Sequence, residues 1–317
     1  MRGFPMAAVV AGALLVGAAG APAVADDHAG HSGAATVSSS APTRLTSVSA
    51  GAPAMSLIAQ LDGAQEVPAP NGPAVGDQDG KAVALIKVKG DRITFALTWN
   101  GIDTPTLGHI HEGKAGANGD VRAGLFTTAM PAGVHSAAGQ TAITDAALAE
   151  RLRTDPSGFY VNLHSAEFPG GAVRGQLKPF GKAINPLSII RGGKLRALAD
   201  GGQEIPADDP AAAGDPDGHA VAFVYPGQGM VGYSVAWVNI AAPVAGHIHE
   251  GVLGKNGDVK VPLFTTPAPE NIFALSGAVP VPDAATVQQL KKNPTAFYAN
   301  VHTAEFPDGA VRGQLFR

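Results

Sequence analysis

The chain repeats itself once, and the spacing of the repeat sets its organisation. Gln65-Glu66-Val67-Pro68 returns as Gln203-Glu204-Ile205-Pro206, Asp79-Gly80 as Asp217-Gly218 and Trp99 as Trp237. His109, His164 and Arg174 return as His247, His302 and Arg312, and each pair is separated by the same 138 positions, as 109 is from 247. A period this long means tandem globular units and not a solenoid. The expected organisation is a unit over 55–180, a linker over 181–193 and a second unit over 194–317. Each unit carries its own strand patterns, helix pattern and apolar residues, so each is expected to fold alone.

Most segments within a unit read as strands. "KAVALIKVKG" and "RITFALTWNG" alternate around a Gly90-Asp91 turn and predict a hairpin. One helix per unit is expected, capped by Asp145 or Asp283, with Leu148 and Leu152, or Val287 and Leu290, on its inner face, and ending before Pro156 or Pro294. "FYVNLHS" and "FYANVHT" follow as strands, and "GAVRGQL" closes both units as another. The fold class is therefore mainly β: two tandem antiparallel barrels or sandwiches, each with one short helix. Glycine (41) and proline (25) are abundant, which suits turns and short strands.

The N-terminus has the pattern of a secretory signal peptide over 1–25. Arg2 begins it, an apolar run extends from Met6 to about Ala19, and Ala23-Val24-Ala25 is a small-x-small cleavage site. Residues 26–54, rich in Ala, Ser, Gly and Pro, read as a disordered tether carrying His28 and His31. The expected location is secreted: extracellular, periplasmic or cell envelope. No transmembrane segment is expected in the mature chain. The net charge of −4 gives no footprint for nucleic acid, and the lack of cysteine excludes disulfides, thiolate metal sites and cysteine nucleophiles.

Both units contain "GHIHEG". On a strand, residues i and i+2 share a face about 7 Å apart, so His109 and His111 project together, as do His247 and His249. "FYVNLHS" supplies a third histidine, His164, on the face it shares with Tyr160 and Asn162; His302 is its counterpart. Three imidazoles without a thiolate suit copper, zinc, iron or nickel and leave coordination positions open. Polar strand residues satisfied by hydrogen bonds are the alternative. The other four histidines, His28, His31, His135 and His219, have no counterpart; His135 faces Phe273 and His219 faces Lys81. Arg174 and Arg312 lie ten residues after the third histidine, on the closing strand. There they can steer an anion to a metal or pair with Glu167 or Asp120 (Glu305 or Asp258 in the second unit). "ANGDV" and "KNGDV" read as Asn-Gly turns. Asp120 is a candidate partner for a ligand histidine, although the reading as an ordinary turn aspartate is favoured. Glu112 and Glu250 point away from the ligands, and Glu66 and Glu204 have no evident catalytic partner.

"GHIHEG" followed by "F-Y-x-N-x-H-[ST]-x-E-F-P-x-G-x-x-R-G-Q-L" resembles the CHRD domain first described in chordin, in both units. That resemblance implies an immunoglobulin-like β-barrel and an extracellular place. The order His109, His111, His164, Arg174 is also similar to the copper histidines and anion-guiding arginine of Cu/Zn superoxide dismutases. The zinc loop and the disulfide cysteines of those enzymes are missing, and the spacing from histidine to arginine is shorter. This second similarity implies a copper-only site, with superoxide as the small-anion substrate. Three functions follow: a secreted copper protein acting on superoxide; a non-enzymatic adhesion or partner-binding module with structural histidines or inert zinc; and a zinc hydrolase or hydratase. Against the last stands the absence of a general base on the ligand face.

Overall fold

A computed structural model describes residues 53–145, 147–206 and 209–317. The signal sequence, and all but the last two residues of the tether, lie outside the described residues. The first repeat contains β1 (Met55–Asp62), β2 (Lys81–Lys89), β3 (Arg92–Asn100), β4 (Leu107–Glu112), β5 (Val121–Phe126), β6 (Val134–Ala142), helix α1 (Leu148–Thr154), β7 (Phe159–His164), β8 (Val173–Gln176) and β9 (Lys178–Pro179). The second contains β10 (Leu195–Asp200), β11 (His219–Pro226), β12 (Met230–Val238), β13 (Ala245–Glu250), β14 (Val259–Phe264), β15 (Ile272–Pro280), α2 (Ala284–Lys292), β16 (Phe297–His302) and β17 (Val311–Gln314).

The strands of each repeat form two antiparallel sheets. In the first repeat the orders are β1-β2-β3-β6 and β8-β7-β4-β5. The chain crosses between sheets after β3, β5 and β6, a Greek-key path. β1 joins the sheets along one edge through Asp62↔Arg174 and two rungs to β9. Asp200↔Arg312 does the same in the second repeat. No pairing joins β5 to β6, or β14 to β15, among the described residues. Each repeat is thus a sandwich fastened along one edge, the open form of the expected barrel or sandwich.

The alternation seen in the sequence builds the core. Ala82, Ala84, Ile86 and Val88 of β2, with Ile93, Phe95, Leu97 and Trp99 of β3, all face inward and are buried. Ile110, Val161 and Leu163 meet them from the other sheet. The β2–β3 hairpin turns through two residues, with Gly90 at φ 58°. Asp283 caps α2 as expected, accepting from the Ala285 and Thr286 amides. α1 starts later than expected: Asp145 bonds the Ala147 amide, and regular helix begins at Leu148. Leu148 and Leu152, Val287 and Leu290 are the buried faces.

The repeats also join each other. β6 pairs antiparallel with β15, through Ser136↔Ser276 and Ala138↔Ala274, so the two inner sheets form one continuous sheet. The register is symmetric: position 136 corresponds by repeat to 274, and 138 to 276. Ile189, in the short helical turn Pro186–Ile189 of the linker, packs with Ala96, Ala138, Ala236, Phe273 and Ala274 into a small second core.

Candidate metal centre

β4 and β7 carry the histidines and are ladder neighbours, with Leu107↔His164, His109↔Asn162 and His111↔Tyr160. His164 is therefore diagonal to His109. Ile110 turns the other way, fully buried in the core. Two register shifts in the β4–β5 pairing flank His109 and Ile110, the kind of irregularity that re-aims side chains. The glycine that opens "GHIHEG" has a packing cause: a Cβ at Gly108 would lie 2.3 Å from the Phe126 ring.

The three imidazoles converge in both repeats. One ligand-capable nitrogen from each of His109, His111 and His164 lies within 4.8 Å of the others, and the same holds for His247, His249 and His302. Ring centroids of His109 are 5.7 Å from His111 and 5.3 Å from His164. Carbonyl acceptors fix the tautomers. His111 Nδ1 meets Gly119 O at 2.9 Å, and His164 Nδ1 meets Pro169 O at 2.9 Å. A carbonyl only accepts, so each Nδ1 carries the proton and each Nε2 presents its lone pair. His249 and His302 are held identically by Gly257 O and Pro307 O. His109 Nδ1 lies 3.4 Å from His164 Nε2, and His247 Nδ1 lies 3.1 Å from His302 Nε2. Two nitrogens sharing one ion at about 2.0–2.1 Å and a near-tetrahedral angle stand roughly 3.3 Å apart. His249 Nε2 is buried without a hydrogen-bond partner, as expected of a nitrogen reserved for an ion. Burial, together with the charges of His302 and His249, pulls the His247 pKa down to about 4. Burial also lowers those of His249 and His302. These imidazoles are neutral at neutral pH, the form that ligates.

Behind the histidines stands a three-layer stack. His111 lies on Tyr160 at 4.8 Å between centroids and 8° between planes, and the Arg174 guanidinium lies 3.4 Å over the other face of Tyr160. His249, Tyr298 and Arg312 repeat it. Arg174 is 1% exposed. It donates to Asn118 Oδ1, Lys114 O and Ala117 O, so it binds the β4–β5 loop that carries Gly119. Any guidance of an anion by Arg174 or Arg312 must therefore act as a field from inside the protein. The expected pairing with Asp120 is replaced by Asn118, and Asp120 pairs with Arg122. It is the Gly119 carbonyl, not the Asp120 carboxylate, that holds the ligand histidine. The tight turn of this loop spans Lys114–Ala117, with Gly116 at φ 78°, and not the Asn-Gly pair. Glu112 faces outward, in ion pairs with Arg122 and Arg151.

The sequence pattern did not assign Glu66 and Glu204 to this neighbourhood. Glu66 meets Asn162, 96 residues away, between Tyr160 and His164. Its recurrence in "QEVPA" and "QEIPA" was the only signal, and it named no partner.

Two tandem Greek-key sandwiches, each with a histidine triad capable of holding a metal ion on its outer sheet, define a class of duplicated β-sandwich proteins with paired metal-site geometry. The sequence matches the CHRD domain at residues 57–177 and again at 195–315, and the chain belongs to that family, with two tandem copies. No curated protein matches it. No helix among the described residues is long and apolar enough to cross a membrane.

Proposed function

We propose that this is a secreted copper protein that holds one copper ion in each histidine triad and acts on superoxide. The observation that carries this reading is the convergence, in both copies, of three imidazoles, two of which have their tautomers set by backbone carbonyls. His109, His111 and His164 would hold one ion, and His247, His249 and His302 the other. The donor set favours copper over zinc, because divalent copper stands highest in affinity for nitrogen sites and, among the described residues, no thiolate or carboxylate joins either triad to complete a closed zinc site. Bound copper would supply one-electron exchange with the anion. The protein orients the imidazoles, lowers the pKa of those in the second triad and places a buried guanidinium behind each site, so that a small anion meets a positive field. Secretion rests on the signal-like N-terminus.

The burial of Arg174 and Arg312 favours a second reading, a non-enzymatic binding module whose triads hold an inert ion. Metal analysis and EPR of the copper-loaded full chain test both. Wild type is expected to bind two equivalents tightly. His109→Ala with His111→Ala should remove one, and adding His247→Ala and His249→Ala should remove the other. A quadruple variant that keeps both equivalents would refute the triads as ligands. Two bound coppers without turnover of superoxide would leave the binding module.

A further inference from the structure

Four buried acceptor atoms near the two triads have no hydrogen-bond partner: Glu66 Oε1 and Asn162 Oδ1 in the first repeat, Glu204 Oε1 and Asn300 Oδ1 in the second. In each repeat the other halves of the same two side chains already meet. Asn162 Nδ2 donates to Glu66 Oε2 at 3.4 Å, and Asn300 Nδ2 donates to Glu204 Oε2 at 3.5 Å. An ionised carboxylate and an amide oxygen both only accept, so an ionised pair leaves two buried acceptors unsatisfied, which is costly in a buried site. A proton on Oε1 makes it a donor to the amide oxygen and satisfies both at once. The backbone closes over this pair. Gly171 and Gly309 sit at φ 139° and 141°. A Cβ on Gly171 would lie 2.7 Å from both Glu66 carboxyl oxygens and 2.8 Å from Asn162 Nδ2.

We propose that Glu66 and Glu204 are positioning residues carried as neutral carboxylic acids, each closing a two-hydrogen-bond ring with Asn162 or Asn300 that braces the ligand-bearing strand and leaves no negative charge beside the histidine centre. Asn162 is the ladder partner of His109 and lies two residues from His164, so the ring acts on the strand that presents the third ligand. The charged and titratable surroundings are few. Arg174 of β8 and Tyr160 of β7 face Glu66; Arg312 of β17 and Asp308 face Glu204. Lys114 and Asp120 belong to the loop that Asn118 ties to Val67 O. Burial outweighs the arginines and lifts both carboxyls to about 8. While the acid is neutral, the guanidinium field is uncancelled. Ionisation puts a carboxylate beside it.

The test compares the full chain with Glu66→Gln/Glu204→Gln and Glu66→Ala/Glu204→Ala. Gln preserves a neutral ring with the Asn amide; Ala removes it. Without metal, infrared spectra of wild type at pH 6 should contain a protonated-carboxyl band that disappears in the Gln variant and on titration through about pH 8. The Gln variant should melt with wild type near pH 4.5 and increasingly above it as pH rises to 9, whereas the Ala variant should melt below the Gln variant throughout. No such band in wild type at pH 6, or a Gln variant as unstable there as Ala, would overturn the proposal. The strand-bracing and field effects at the centre rest on the triads holding copper. Azide binding to the copper-loaded wild type should weaken as pH rises through 8 more than binding to the Gln variant. Identical pH profiles would overturn the effect on the centre. A chain that binds no copper yet keeps the infrared band would refute the copper reading and uphold the acid–amide ring.

Discussion

Arg174 donates to two loop carbonyls and to Asn118, and stacks on Tyr160, which stacks on His111. One residue thus fixes both the loop whose Gly119 carbonyl orients His111 and the ring on which His111 rests. Lysine can replace the charge but not the planar fork or the stacking face. Arg174→Lys is therefore expected to cost about 2–4 kcal/mol in chemical denaturation, since it leaves buried carbonyls unsatisfied. It should also weaken metal affinity by roughly 10–100-fold, the usual effect of losing a ligand's outer support. Unchanged affinity in a metal titration would mean the stack does not set the His111 geometry. The alternation of β8 was enough to put Arg174 on the polar face, but period-2 patterning fixes direction and not depth. Burial of this arginine depends on a loop 56 residues away, which no local pattern encodes. The buried carboxyls give a second consequence at this scale. Their folded pKa of about 8 exceeds the ordinary glutamate value of 4.5, so the folded state binds more protons between those values. Their stabilising contribution is full below about pH 4.5 and is lost as pH rises through 8. Melting of wild type should therefore fall between about pH 5 and 8, and a flat profile over that range would contradict this.

The strands and helices were the most legible part, and the reason is local. β2, β3 and β7 are written with alternation strong enough to fix their inner faces, and Gly90-Asp91 ends one hairpin strand and starts the next. The third ligand was found because β7 has the same period as β4. The helix starts differ for a physical reason. Asp283 caps two amides of α2 directly, while Asp145 accepts from the Ala147 amide, before the first regular turn, and also pairs with Arg151 at 2.9 Å. Asp283→Ala is thus expected to destabilise by about 1 kcal/mol through lost capping. Asp145→Ala should lose the exposed ion pair as well, which adds little. A thermal melt in which Asp283→Ala equals wild type would show that packing of Val287 and Leu290 alone holds α2.

At the scale of the molecule, the repeat spacing predicted two units but not their junction. Tandem copies can sit apart on a linker or share an edge, and a single sequence gives no register between strands 138 residues apart by repeat. The shared edge is β6 with β15, and its symmetric register makes the junction equivalent to a two-fold dimer contact between copies. Expressed alone, residues 53–181 would expose β6 as a free edge, with Ala138 and Ala96 losing the cover of Phe273, Ala274 and Ile189. Open edges of this kind pair with whatever strand is available, and the best available strand is β6 of another copy. The fragment is therefore expected to melt cooperatively but to run as a dimer in light scattering. Ala138→Lys should convert it to a monomer by placing a charge on that edge. A fragment that is monomeric without the substitution would mean that the edge does not self-pair and that the linker turn, more than the strand pairing, holds the two repeats together.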